Sequence, residues 1–478
     1  MAKLIKEFVW RKSRVDLHKD LSEKRAGITP CDQKKNTKNQ EESNLFKFVI
    51  TIQQTMLKKM KLTEDWASVV VGITLIIAVV ATSFFPELPK FGPKTGWTGW
   101  TVLSTEVFTT GNTLRLGMTF LYFLFFALAG TWLMGKRGKE LITAFPVVFI
   151  LSMVAQFIAS SGSMKNLGLE TVLFSLLIGL FISNVLSTPA WLKAGIQSEF
   201  YIKIGLVMLG TTILFSEIMK AGLFGVLQAV IVVVAVWYFA FWIARKLKVD
   251  EELGIMLASA VSICGVSAAI ATAGAIKGDS KKLSYVISLV LVVAIPMMIF
   301  MPLIARWIGL SDEVTGAWLG GSIDTTGAVV AGGTIAGDTA LKFSTIIKFS
   351  QNVLLGIAAF LISIFWTYRQ AEKNGTDEKP TLGVIWERFP KFVLGFIAAS
   401  LVFSFLIDGE TAVNAGKTIK SYQSLWFNLA FVCIGLETRF KDLVTMDRGR
   451  PLYAFLLAQG FNIIITLVVA YILFGIFW

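Results

Sequence analysis

A chain of 478 residues that is 55% hydrophobic and only 16% charged, with a mean hydropathy of +0.68, exceeds what the surface of a water-soluble domain tolerates. Its 45 lysines and arginines outnumber 32 aspartates and glutamates, for a net charge of +13. The excess gathers in residues 1–61 and in short loops, as the positive-inside rule requires of a bacterial inner-membrane protein, and this excludes nucleic acid as a partner.

Residues 1–61 form a basic extension with no apolar stretch behind a short charged start. They read as a cytoplasmic tail near anionic headgroups, not as a cleaved signal peptide. Apolar segments of spanning length then recur at 66–84, 114–134, 140–160, 168–186, 199–217, 221–246, 250–276, 281–307, 312–336, 345–367, 386–408, 418–437 and 451–478. With the N-terminus inside, Lys136 to Lys139, Arg245 to Lys248, Arg369 to Lys391 and Arg439 to Arg450 all fall on the cytoplasmic side. If 250–276 crossed the membrane, Lys277, Lys281 and Lys282 would be placed outside; a re-entrant hairpin keeps them inside. The expected fold is an all-α polytopic membrane protein with about 11–13 transmembrane segments, in which 250–276 and 312–336 are broken or re-entrant helices.

Those two segments carry the unusual residues. Ser262-Ile-Cys-Gly-Val-Ser-Ala-Ala-Ile270 and Gly320-Gly-Ser-Ile-Asp-Thr-Thr-Gly-Ala-Val-Val-Ala-Gly-Gly333 resemble each other. Small and hydroxyl residues in mid-segment let a helix break, and a broken helix exposes backbone N–H groups that can hold an ion at mid-membrane depth. On either side, Phe200 to Phe215 matches Leu425 to Phe440, with Val207, Gly210 and Phe215 opposite Val432, Gly435 and Phe440, so an inverted repeat is expected. In the first motif Ser262, Ser267 and Thr272 offer hydroxyls beside Cys264, and a break at Gly265 starts a half-helix whose dipole favours anions. In the second, Asp324 stands among Gly, Thr, Val and Ala, where an unpaired carboxylate costs at least about 2.5–3.5 kcal/mol. Lys348 in the next helix is its expected partner, the two forming a coupling-ion pair that switches with protonation or ion binding. Ser322, Thr325, Thr326, Lys348 and Asn352 complete the candidate substrate-binding set.

Ser262-Ile263-Cys264-Gly265, followed by Ser267-Ala268 and Ala271-Thr272, closely resembles the signature of the YeiH family of bacterial membrane proteins, within the cation:proton antiporter and anion transporter superfamily. The resemblance takes in Gly179 to Asn184, Val329-Val330-Ala331-Gly332, Lys348 with Leu354-Leu355, and Gly435-Leu436, and it implies sulfate export. It divides the chain into the basic extension 1–61, three additional transmembrane helices in 62–165, and a YeiH-like transporter domain in 166–478. The chain departs from the family pattern twice. Asp324-Thr325 stands where the family has a His-Glu pair, and Gln351 where an arginine follows the lysine.

Three dispersed cysteines (Cys31, Cys264, Cys433) and one histidine, His18 in the tail, argue against a disulfide framework, a metal site or a histidine relay in the membrane. There is no phosphate-binding glycine loop followed by Lys-Ser/Thr, so neither an enzyme nor an ATP-driven pump is expected, and no cofactor. These features together suggest a secondary transporter exporting a small inorganic or organosulfur anion, sulfate- or sulfite-like, by alternating access. Two other readings stand beside it. One is a Na+/H+ antiporter in which Asp324 binds the cation, Thr325 and Thr326 complete its shell and Lys348 competes with it. The other is a membrane-embedded sensor or scaffold acting through the basic tail. Expected partners are the anion, H+ or Na+ as coupling ion, membrane lipid and further copies in a homo-oligomer.

Overall fold

A backbone immersed in hydrocarbon has to satisfy its N–H and C=O groups internally, which restricts these apolar runs to helices. The computed structural model describes residues 61–81, 85–93, 96–136, 138–166, 171–374, 383–439 and 449–478, and helices dominate them. The chain divides into Met1–Lys61 and Leu62–Trp478. The first unit, with the basic tail, His18 and Cys31, lies outside the described residues apart from Lys61.

The second unit opens with α1 (Glu64–Ala81), α2 (Thr110–Leu133) and α3 (Gly138–Ala159). The shorter α4 (Thr171–Phe181) and α5 (Ser198–Leu209) follow, then the long α6 (Phe215–Lys246). The first broken segment is α7 (Glu251–Ser259) with α8 (Val266–Ile276), followed by α9 (Ser280–Trp307). The second is α10 (Asp312–Ser322) with α11 (Thr326–Ala336). The chain then runs through α12 (Asp338–Asn374), α13 (Phe392–Phe405), α14 (Gly409–Glu437) and α15 (Arg450–Ala470). Among the described residues seven helices, α1, α2, α3, α6, α9, α12 and α15, are long and apolar enough to cross a bilayer. The other segments expected from sequence are the two broken ones, the short α4, α5 and α13, and α14, whose first half carries polar residues such as Asn414, Lys417 and Lys420.

Side-chain caps fix where the pieces begin. Asp250 accepts from Leu253 N (3.2 Å) ahead of α7, Ser311 from Val314 N (3.3 Å) ahead of α10, and Thr325 from Ala328 N (3.3 Å) ahead of α11. At the first break the backbone widens into a π-type turn over Ala260–Cys264 and reverses at Gly265, whose φ of +61° suits glycine.

Both broken segments turn back at their breaks. After α8, Lys282 Nζ returns to Asp250 (2.6 Å) and Glu252 (3.0 Å), so the two ends of the first segment meet. The second is ordered by α12. A Cβ on Gly316 would lie 2.6 Å from Phe343 Cβ, and one on Gly320 would lie 2.9 Å from Ile347 Cβ, so α10 runs alongside α12. On the return, Thr326 is level with Asn352 (3.2 Å) and Gly333 with Leu341, so α11 runs back. The first hairpin lies toward the other end of α12, with Ala268 and Ala271 clustered on Leu355 and Ala359. The hairpins therefore enter from opposite ends of α12 and meet tip to tip.

The helices sort into two bundles. Both hairpins pack with α6, α9, α12 and α15, whereas α4 and α5 pack on α14, α1 on α5 and α13, and α3 on α4. Gly179 and Gly435 allow α4 and α14 to touch, a Cβ on either lying 2.8 Å from the other's Cα.

Single cysteines at Asp250 and Lys281 are expected to react with a membrane-impermeant maleimide from one face of the membrane, and cysteines at Asp312 and Asp338 from the opposite face. Labelling of Asp250→Cys and Lys281→Cys from different faces would make the first segment a crossing helix.

Candidate functional site

A helix that ends inside a protein leaves its last carbonyls without partners, and the negative end of its dipole points at whatever lies beyond. Two such ends converge at the hairpin tips, and side chains of α12 and α15 cap both. Lys348 Nζ donates to Ile263 O (2.9 Å), Ile323 O (2.8 Å) and Gln351 Oε1 (2.8 Å), which engages all three of its N–H groups. Gln351 Nε2 donates to Ser262 O (2.9 Å) and Gly321 O (3.3 Å). From α15, Asn462 Nδ2 reaches Val261 O and Ser322 O, both at 3.1 Å, and Gln459 Nε2 reaches Ser322 O at 2.8 Å.

This arrangement corrects the pairing expected from sequence. Lys348 is committed to backbone carbonyls and forms no ion pair with Asp324. Asp324 is buried, and neither of its carboxylate oxygens has a hydrogen-bond partner. Gln459 lies beside it, with its amide nitrogen engaged by Ser322 O and Met297 Sδ. Ser322 Oγ and Gln459 Oε1 are also buried without partners. The threonines expected around Asp324 are turned elsewhere. Thr325 Oγ1 caps α11, and Thr326 Oγ1 accepts from Asn352 Nδ2 (3.2 Å).

The N-terminal ends of α8 and α11 open on the other side of the tips, where a cavity of about 360 Å³ is lined by Cys264, Ser267, Thr326 and Asn352. Of the predicted residues these four share one space. Ser262 Oγ donates within its own turn to Ser259 O at 3.5 Å, and Thr272 is buried farther along α8 away from the cavity lining. Gly265 supplies the reversal and packs against Asp324, where a Cβ would lie 3.1 Å from Asp324 Cβ.

The opposite wall was not picked out from sequence. It comes from the second bundle, where Lys203 Nζ is bound by Glu64 Oε1 (2.8 Å) and Asp65 Oδ1 (3.0 Å), with Glu199 Oε2 at 3.8 Å. Lys391 lines the cavity beside it, and Glu387, on a short helix over Gly383–Arg388 that packs on α12, brings the charges around the cavity to four acids and two lysines. One signal could have found Lys203: it is a charge in an apolar segment, four residues after Glu199 on the same helix face. Gln459 and Asn462 gave none beyond being amides in a span.

Residues 143–454 match the model of a family described as conserved hypothetical protein 698. The chain belongs to this YeiH-like family. The relatives that follow are named as membrane proteins. The UPF0324 membrane protein of Rhodopirellula baltica is 39% identical over 79% of this chain and 71% of its own length. One from Nitratidesulfovibrio vulgaris is 37% identical over 78% of this chain, which spans 66% of that relative, and one from Nitrosomonas europaea is 28% identical over 87% and 95%. A solved structure of the sodium proton antiporter MjNhaP1 from Methanocaldococcus jannaschii, 13% identical, covers 70% of this chain and all of its own, with a TM-score of 0.19, too slight a likeness to carry an argument.

Lys348→Met would strip donors from three buried acceptors, at about 1–3 kcal/mol for each group left unsatisfied. The detergent-solubilised variant is expected to melt several degrees below the parent, while Lys420→Met, which removes the exposed pair with Asp338, stays close to it. Equal melting of the two variants would show that the tip bonds carry no stability.

Proposed function

We propose that the chain is a secondary transporter of a small oxyanion, sulfate- or sulfite-like, working by alternating access in a bacterial inner membrane with its N-terminus inside. The observation that carries this reading is the cavity onto which the N-terminal ends of two opposed half-helices open, α8 at Ser267 and α11 at Thr326. First-turn N–H groups lack intrahelical partners, and the positive end of the dipole favours an anion. Asn352 and Thr326, joined by the Nδ2–Oγ1 bond, both line the cavity, and the Thr326 hydroxyl proton can donate to a bound oxyanion while Asn352 holds that hydroxyl in place. The opposed hairpins and the match of Phe200–Phe215 with Leu425–Phe440 support an inverted repeat, and with it alternating access. Export is the direction the family resemblance implies.

Asp324 is the coupling site in this reading. A proton or a small cation would supply what its two unpartnered oxygens lack, with Ser322 Oγ and Gln459 Oε1 at hand in place of the threonines. The same oxygens favour a second reading, a Na+/H+ antiporter in which Asp324 binds the transported cation.

Thermal stability of the purified protein, followed against sulfate, sulfite, thiosulfate, phosphate, chloride and Na+, separates the two, since a ligand at 100 times its Kd stabilises by about 2.7 kcal/mol. A sulfur oxyanion is expected to raise Tm in the parent and in Asp324→Asn but not in Asn352→Leu. In proteoliposomes Asp324→Asn is expected to lose coupling of anion movement to the cation gradient. Stabilisation by Na+ alone, lost in Asp324→Asn, would replace the anion reading with the antiporter.

A further inference from the structure

A site for an oxyanion wants a cation whose bonds can be exchanged, and the lysines near the tips differ in this respect. Lys348 is held by two main-chain carbonyls and an amide oxygen and is absent from the cavity wall. Lys391 lines the cavity, but its ammonium donates to the main-chain oxygens of Trp386 and Glu387. Lys348 cannot turn to a ligand without leaving buried acceptors unsatisfied, and Lys391 would have to give up two main-chain bonds to do so. Lys203 is different in kind. Its partners are carboxylates, Glu64 at 2.8 Å, Asp65 at 3.0 Å and Glu199 at 3.8 Å, and its side chain keeps 15% of its exposure. A sulfate or sulfite oxygen could replace a carboxylate oxygen there with like chemistry and like geometry.

The two nearest carboxylates come from one place. Glu64 and Asp65 form the first turn of α1, where the helix dipole favours them, and α1 lies outside residues 143–454 matched by the family model. Lys203 and Glu199 lie within that match, on α5. Asp65 is held in place by a further bond, accepting from Lys391 N at 2.9 Å, and Glu64 also faces Lys136 at 3.7 Å.

We infer that Lys203 is the substrate-facing cation of the cavity, and that Glu64 and Asp65 are internal stand-ins for the substrate's oxygens which an entering oxyanion must displace. The inference rests on the oxyanion reading above. It gives the first turn of α1 a gating role with a chemical basis: with both carboxylates seated the wall is acid-rich and repels an anion, and only their withdrawal or neutralisation leaves Lys203 and Lys391 balanced against Glu199 and Glu387 and open to one.

The test uses the full chain. Glu64→Gln/Asp65→Asn is expected to bind sulfate or sulfite about tenfold more tightly than the parent, by calorimetry. Adding Lys203→Met, which leaves no cluster of unpaired charges behind, is expected to abolish the gain. A second readout needs no anion. In protein with Cys31, Cys264 and Cys433 replaced by alanine, Lys203→Cys is expected to react faster with a cationic than with an anionic methanethiosulfonate, and Glu64→Gln/Asp65→Asn is expected to remove that preference. Unchanged affinity in the double variant, or full affinity retained with Lys203→Met, overturns the role of Lys203 while sparing the oxyanion site. A shift in reagent preference with no anion bound by either protein overturns the oxyanion reading and this inference with it.

Discussion

One ammonium group lies between the carbonyl ends of two broken helices. Lys348 donates to Ile263 O and Ile323 O, which belong to hairpins entering from opposite ends of α12. Each end presents the negative pole of a helix together with carbonyls that hydrocarbon cannot solvate. Left alone, two such ends would repel and stay apart. A single cation satisfies both at once and holds the tips together, and Gln351, Gln459 and Asn462 cap the carbonyls that remain.

Capping one side of the tips determines what the other side can do. The carbonyl ends are sealed by protein, whereas the N-terminal ends of α8 and α11 open on a cavity. Positive helix poles thus point into space, while Asp324, set in the second break between its two half-helices, keeps two acceptor oxygens without donors. If the transporter proposal holds, an anion at the helix N-termini and a proton or cation at Asp324 would answer complementary deficits on the two sides of the tips, which would let each bias the other's binding.

What the residues disclose by themselves follows the range of the interactions involved. The breaks at Gly265 and Asp324 were legible because they depend on local chemistry, a positive φ and a run of small residues. The return of the first hairpin was half legible: the charges of Lys277, Lys281 and Lys282 argued for it while a crossing helix stayed open, and the contact of Lys282 with Asp250 brings the two ends of the segment together. The partner of Lys348 was not legible. Sequence shows two opposite charges 24 positions apart, but not that helix ends from two other segments, with Gln351 of the same helix, take every donor. The Lys203 cluster was hidden for the same reason: Glu64 is 139 positions away, and only the packing of α1 on α5 joins them. Gln459 and Asn462 act through main-chain oxygens, which are alike at every position and leave no mark in composition.

The two polar clusters lie on different bundles, and this bears on how the cavity could change access. Lys348 and the caps join the hairpins to α12 and α15, all within one bundle, and Lys203 with Glu64, Asp65 and Glu199 lies wholly in the other. The seam between them includes apolar contact: α11 meets the second bundle at Gly327, where a Cβ would lie 2.7 Å from Ile202 Cδ1 and 3.0 Å from Ile434 Cδ1. A rigid displacement of one bundle past the other would break neither buried network; it would exchange apolar contacts and strain the exposed Lys420–Asp338 pair and the Phe215 N–Ser404 Oγ bond, which also cross the seam. The cavity is the part of the molecule such a movement must reshape, because one wall belongs to each bundle. A ligand that touches both walls, through Ser267 and Thr326 on one and Lys203 on the other, would bias the movement by its differing contacts in the two positions, and a ligand confined to one wall would not.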